Sequence, residues 1–158
     1  MSAYRSTDIA AGFLRIYAED SEIASPVSPM KLQKLVYFSQ LTAVCTGDGI
    51  PIHTDDTKAW DYGPVEPVLY RTIRRFGSNT ITLNNPEIAK VFAGAKKVCG
   101  REKDIVLEVW GHFKNWGAFA LSALTHRKNS PWMITYERNP YGTIPIDLMR
   151  EKGFGDAP

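Results

Sequence analysis

Cysteine is scarce in this sequence of 158 residues, which contains only Cys45 and Cys99. A small secreted domain held together by disulfides carries more cysteines than this. The two cysteines are far apart and form no C-x-x-C pair, so they lack the spacing of zinc ligands. We therefore expect two reduced thiols in a cytoplasmic protein.

Histidine is also rare, with His53, His112 and His126 as the three examples. No two of them have the helical spacing of metal ligands, and no H-E-x-x-H motif occurs. His112 lies on an apolar helical face, which predicts a hydrogen-bonded histidine in the core. His126 closes a short helix, which predicts a residue that caps helix-end carbonyls or fixes the next turn.

The sequence offers little that would support catalysis. Ser122 and His126 are four residues apart and could touch on a helix, but no G-x-S-x-G or comparable turn surrounds the serine. Asp55, Asp56 and Asp61 fit solvated turn residues better than metal ligands. No glycine-rich phosphate loop is present. We expect no enzymatic activity, no catalytic residues, no metal and no cofactor.

An excess of one charge is missing, since 19 basic and 17 acidic residues give a formal net charge of +2. This balance argues against a dedicated nucleic-acid-binding protein. A local basic cluster is nevertheless present. It could meet nucleic-acid phosphates or an acidic protein surface, or simply be solvated. Its members are Arg71, Arg74 and Arg75, which Lys96, Lys97, Arg101 and Lys103 could join.

No long apolar segment occurs near the start, because charged residues interrupt the first twenty positions. A signal peptide or a membrane span is therefore not expected there, and we predict a cytoplasmic protein that does not bind membranes. The hydrophobic fraction of 44% is ordinary for a globular protein. We predict a single domain over residues 1–152 and a flexible C-terminal tail over residues 153–158.

The segment from Ser28 to Val44 predicts the central helix of the fold. Ser28 and Pro29 suit an N-cap and the first helical position. At about 100° per residue, the segment has two apolar faces, which is typical of a helix buried on both sides. One face contains Leu32, Leu35, Val36, Ser39 and Ala43, and the other contains Met30, Tyr37, Leu41 and Val44.

The remaining patterns predict further short helices. A first helix should end near Asp20, and another should begin at Pro64 or Pro67 and end at Phe76. Alternation around Ile50 and Ile52 suggests a small hairpin with residues 58–62. The predicted fold is mainly α: a compact bundle of six to seven short helices around a central helix, with at most a small β-hairpin.

Three segments, taken in order, resemble the motifs of one family. KLQKLVYFSQ at residues 31–40 is similar to a K-L-Q-K-L-x-Y-x-x-Q motif, and AWDYGPVEPVLY at residues 59–70 to W-x-Y-G-P-V-x-P-x-x-Y. LTHRKNSPW at residues 124–132 is similar to L-T-H-x-x-x-P-W, with a stretched spacing before Pro-Trp. The family is the Panacea domain, also described as SocA-like antitoxins or GepA-like phage-associated proteins. The resemblance spans nearly the whole chain.

This resemblance implies a function in protein–protein interaction. Members are encoded in prophages and toxin–antitoxin systems, have no known enzymatic activity, and are thought to neutralise toxins by direct binding. One member delivers its toxin to a ClpXP-type protease. The leading expectation is therefore an antitoxin that binds a cognate toxin. The alternatives are a phage-encoded adaptor that engages a host protein or such a protease and, ranked lower, a nucleic-acid-binding regulator acting through Arg71, Arg74 and Arg75. The oligomeric state is left open.

The motif residues divide into two predicted groups. The first is structural, with core leucines, a sharp entry into the helix after Gly63, and a C-terminal brace: Leu32, Leu35, Trp60, Tyr62, Gly63, Pro64, Val65, His126 and Trp132. The second has exposed or amphipathic side chains that could contact a partner: Lys31, Gln33, Lys34, Tyr37, Gln40, Tyr70, Arg71, Arg74 and Arg75.

Overall fold

A computed structural model describes residues 3–22 and 24–157. Over these residues the chain forms eight α-helices and one two-stranded sheet, which confirms the mainly α prediction. The first elements are α1 (Ser6–Glu19), α2 (Pro29–Cys45), β1 (Lys58–Trp60), β2 (Gly63–Val65) and α3 (Pro67–Ile73), followed by a 3-10 turn (Arg74–Phe76). The later helices are α4 (Pro86–Val91), α5 (Gly100–Phe113), α6 (Ala118–Thr125), α7 (Pro131–Arg138) and α8 (Ile146–Lys152).

Helix α2 is the central element. The Ser28 hydroxyl accepts a hydrogen bond from the Lys31 amide, and Pro29 occupies the first turn. Of its 17 residues, 14 are buried. Helices α1, α3, α5, α6 and α8 all pack against it. A helix surrounded in this way has no solvent face, which explains why its sequence shows two apolar sides.

The hairpin differs from the prediction in its partner strand. Strand β1 pairs with β2 in antiparallel register, with Lys58 opposite Val65 and Trp60 opposite Gly63. The segment around Ile50 and Ile52 is not a strand, because the Ile52 amide donates to the side chain of Gln40 instead. The other edge of β1 pairs with residues 141–144.

The buried face of α5 differs from the predicted one. Its buried stripe consists of Ile105, Val106, Val109, Trp110 and Phe113. His112 is exposed, so the prediction of a core histidine is wrong. Trp110 takes the inward position, and its indole nitrogen donates to Asp20 at 2.8 Å.

The C-terminal segment makes contacts that the prediction of a flexible tail did not include. The Phe154 ring lies 5.4 Å from the Phe38 ring. The Asp156 amide donates to the Lys128 carbonyl at 2.8 Å. Phe154 thus packs against α2, and Asp156 bonds to the loop that precedes α7. In the described residues, no helix combines the length and the apolar character needed to cross a bilayer.

Candidate functional site: a groove beside the motif hairpin

The three motifs meet at the β1–β2 hairpin. Lys34 on α2 lies under the turn, where its ammonium donates to the carbonyl oxygens of Pro64 at 3.2 Å and Tyr62 at 3.4 Å. Gly63 has a φ of +115°, and a Cβ there would lie 2.9 Å from the Lys34 nitrogen. The glycine is therefore required both by its backbone conformation and by the lysine beneath it.

Gln33 connects α2 to the start of α3. Its side-chain amide donates to the Glu66 carbonyl at 3.1 Å and accepts from the Glu66 amide at 3.0 Å. Glu66 is the N-cap residue of α3. The glutamine thus pairs with the backbone as a neighbouring strand would, and it fixes where the third helix begins.

Gln40, two turns further along α2, does the same for the loop before β1. It accepts from the Ile52 amide at 2.7 Å and donates to the His53 carbonyl at 3.3 Å. The two connections are joined by a fully buried contact of 3.3 Å between His53 Nε2 and Glu66 Oε1. Since His53 Nδ1 accepts from the Asp55 amide, Nε2 carries the proton and donates to Glu66.

Lys31 is the fourth polar residue of this motif and holds α2 to α5. Its ammonium donates to the Lys114 carbonyl at 2.6 Å and to the Ser25 carbonyl at 3.2 Å. Burial lowers the pKa of Lys31 to about 8. The pKa of Lys34 is also about 8, because burial outweighs the opposing effect of nearby Glu66.

These contacts correct the expectation that the polar side chains of α2 are exposed. All five of the α2 residues that were expected to contact a partner are buried: Lys31, Gln33, Lys34, Tyr37 and Gln40. Four of these residues have long polar side chains, and all four donate to backbone carbonyls of crossing segments. Surface exposure therefore gives no support to a direct role for them in binding.

The third motif supports the hairpin from the other side. The Trp132 indole nitrogen donates to the Trp60 carbonyl at 2.7 Å, and the His126 ring lies 4.1 Å from the Trp132 ring. His126 Nδ1 donates to the Ser122 carbonyl at 2.6 Å, which caps the end of α6. Because His126 bonds the carbonyl of Ser122, this geometry does not support a Ser–His catalytic pair.

A groove of about 510 Å³ opens beside this hairpin. It lies between the start of α2, the hairpin and α3, and its walls are mostly apolar. The lining residues are Pro29, Met30, Gln33, Lys34, Trp60, Asp61, Tyr62, Val65, Tyr70, Ile73, Arg74, Gly77 and Tyr141.

Large side chains at the groove are unusually exposed. Tyr62 is 79% exposed, Tyr141 55%, Met30 41% and Tyr70 39%. Tyr62 was predicted to be a structural residue, but the two-residue turn projects its side chain into solvent. Tyr70 packs edge-on against Trp60, with ring centroids 5.0 Å apart.

Asp61 orders one side of the groove. Its carboxylate accepts from the hydroxyls of Tyr136 and Tyr141. These two hydrogen bonds, that from Tyr136 first, lower the pKa of Asp61. The same carboxylate raises the pKa of Tyr141 to about 12. Met30 and Tyr141 were not among the predicted site residues; an aromatic residue in the turn at 139–143 was the available signal for Tyr141.

The basic cluster is smaller than its sequence suggested. Arg71 and Arg74 are exposed on the α3 side, and Arg74 lines the groove. Arg75 instead lies 3.7 Å from Glu87. The proposed additional members are elsewhere: Lys96 donates to the Ala3 carbonyl, and Arg101 to the carbonyls of Ala43 and Ile50. Across residues 3–22 and 24–157, no three His, Cys, Asp or Glu side chains are grouped for a metal ion.

Comparison with known proteins supports the family resemblance of the three motifs. A curated relative, antitoxin SocA of Caulobacter vibrioides (strain NA1000 / CB15N), is 30% identical over 117 residues, covering 69% of this chain and 60% of that protein. The chain thus spans less than two thirds of that relative's length. No solved structure gave a significant match. The family model for "Antitoxin SocA-like, Panacea domain" matches residues 32–133, which is more than half of the chain, so the chain belongs to the SocA-like antitoxin family with a Panacea domain.

Proposed function

We propose that this protein neutralises a cognate toxin by direct binding, and that the groove beside the hairpin is the binding face. Membership of the SocA-like family supports an antitoxin role and a non-enzymatic one. The observation that supports this particular face is the convergence of all three motifs on the hairpin, with its aromatic residues left exposed.

The motif residues have two separate roles, support and exposure, and this separation favours the groove as the binding face. Lys34, Gln33 and Trp132 use their polar groups on hairpin and α3 backbone. They hold the backbone in place and are themselves buried. The exposed residues beside them, Tyr62 and Tyr70, are of the type that dominates the energy of protein interfaces. A rigid support beneath exposed aromatics reduces the entropy lost when a partner binds.

The test is co-expression with the product of the neighbouring open reading frame. That product should be toxic alone, harmless with this protein, and recovered with it on affinity purification. Tyr62→Ala combined with Tyr70→Ala should abolish protection and weaken the complex by roughly a hundredfold or more, as for two interface hot spots. The variant should remain folded, because Tyr62 is mostly exposed and Tyr70, which packs against Trp60, lies at the edge of the core.

Phe119→Ala provides the matched control. Phe119 is 87% exposed on α6 and does not line the groove. Its removal takes away a comparable apolar surface and should leave protection unchanged. A neighbouring product that is harmless alone and does not co-purify would contradict the antitoxin function. Equal loss in Phe119→Ala would contradict the choice of face. The toxin's lifetime in the same cells separates sequestration, in which the toxin persists, from delivery to a protease.

A further inference from the structure

Some charged side chains around the groove have partners within the protein, and others do not. Three charged residues line it: Lys34, Asp61 and Arg74. Asp61 has its carboxylate oxygens occupied by two tyrosine hydroxyls. Lys34 lies beneath the hairpin turn and carries a buried positive charge. Arg74 is exposed and has no ion-pair partner in the described part of the chain.

Arg71 extends this positive side of the groove. It is exposed on α3, three residues before Arg74, which directly follows the helix in αR conformation, so the two side chains lie on the same side. Over residues 3–22 and 24–157 it forms no ion pair either, whereas Arg75 on the next position is paired with Glu87. Two free guanidinium groups beside an apolar channel favour carboxylates, which they bind with two parallel hydrogen bonds.

The apolar lining of the groove determines what else a bound segment must contain. A volume of about 510 Å³ lies within the roughly 300–1,000 Å³ of typical binding pockets. Val65 and Ile73 contribute aliphatic surface, and the tyrosine rings offer faces and edges to a hydrophobic side chain. When a partner buries apolar side chains there, the apolar surface of the partner and that of the groove are both removed from water.

We propose that the groove binds a segment of the toxin in which apolar side chains are flanked by aspartate or glutamate. The apolar side chains enter between the hairpin and α3, and the carboxylates pair with Arg71 and Arg74. This inference rests on the proposed function for the identity of the occupant, and on charge complementarity for its chemistry. The same charge complementarity disfavours a basic segment, and the experiments below test both a basic segment and a second copy of this chain.

The first experiment measures association kinetics between the full-length protein and the co-purified toxin. Arg71→Glu with Arg74→Glu should slow association at low salt by roughly tenfold or more, because rim charges act mainly on encounter. Raising the salt concentration should reduce the difference from wild type. The matched control is Lys97→Glu with Lys103→Glu, which changes the net charge equally at a separate cleft beside α1. Equal slowing in both double variants would overturn the proposal.

The second experiment needs no toxin. The acetylated and amidated peptide DEWLDE and its basic counterpart KKWLKK are titrated into the isotopically labelled protein at low salt. The acidic peptide should shift resonances of Tyr62, Tyr70 and Arg74, weakly and saturably, and the basic peptide should not. Arg71→Glu with Arg74→Glu should reverse this preference.

The outcomes separate the two ideas. If no toxin complex forms but the acidic peptide binds the groove, the proposed function fails and the chemistry of the groove stands. If the complex forms but neither the peptide preference nor the arginine dependence is found, the function stands and this inference is wrong. Self-association that is lost in Tyr62→Ala would show that a second copy occupies the groove, and would also overturn the inference.

Discussion

Lys34 is a buried cation whose partners are backbone carbonyls, and its environment predicts how stability depends on pH. Burial lowers its pKa to about 8 in the folded protein, from an ordinary value of 10.5. Between these values the unfolded chain binds more protons than the folded one, so stability rises with pH. Relative to Lys34→Arg, which keeps its charge, wild type should gain on the order of 2 kcal/mol between pH 7 and pH 10.

Denaturant unfolding of both proteins across this range measures the effect. The stability contributed by the change of protonation is absent below pH 8 and grows as pH rises through that value. Lys31, which has the same lowered pKa, is present in both proteins and cancels in the comparison. A side-chain carbon resonance of Lys34 that titrates near pH 8 would supply independent support. Parallel stability curves would contradict the assignment.

Individual polar residues are where prediction from the sequence failed. The composition of α2 correctly suggested a central helix, since its apolar residues occur on two sides. The same periodicity could not show that Gln33 and Lys34 have backbone carbonyls as partners, because those carbonyls belong to residues about thirty positions away. A long polar side chain on a helix without a solvent face was the signal available, and it indicates burial with a distant backbone partner.

At the scale of elements, the hairpin depends on its glycine. Gly63→Ala places a methyl group 2.9 Å from the Lys34 nitrogen and 3.1 Å from the Thr125 hydroxyl, at a φ of +115°. We expect a loss of about 2 to 4 kcal/mol in unfolding free energy, from strain in the backbone and a displaced lysine. Chemical denaturation measures this loss.

Gly111→Ala is the control for that substitution. Gly111 lies inside α5 with no atom within 4 Å of its added Cβ, so alanine should stabilise the helix by about 0.5 to 1 kcal/mol. If alanine lowers the unfolding free energy at Gly63 and raises it at Gly111, then close approach to neighbouring atoms, and not the loss of a glycine as such, determines the change in stability. Tolerance of alanine at Gly63 would mean that the hairpin can move away from α2.

The helices were predicted better than the segments between them. Proline and an N-cap residue located the start of α2, at Ser28 and Pro29. The hairpin was placed one strand too early, because alternation around Ile52 resembles a strand whether its amide meets another strand or a glutamine side chain. Pro64 also misled, since it lies in β2 and α3 begins at Pro67. Local sequence patterns are sufficient to predict the helices, whereas the conformation of these loops depends on their contacts with α2.

At the scale of the whole molecule, the near balance of charge conceals an uneven distribution. Several charged groups form ion pairs: Lys114 bridges Asp20 and Glu22, and Arg5 pairs with Asp55. Arg71 and Arg74, which form no ion pair in the described residues, lie beside the hairpin on which the motifs meet. A protein with a net charge of only +2 can therefore still present a local positive field to a partner.

The proposed binding of a toxin at the groove predicts which parts of the backbone become protected in the complex. Hydrogen–deuterium exchange of the complex should show slower exchange at residues 60–63, 70–77 and 141–142, which surround the groove. Exchange in α5 and α6 should be unchanged, because these helices lie outside the groove. The buried contacts of Lys34 and Gln33 already fix the hairpin, so protection should be local and should not spread through α2. Protection centred on Phe119 in α6 would instead place the toxin on another face of the molecule.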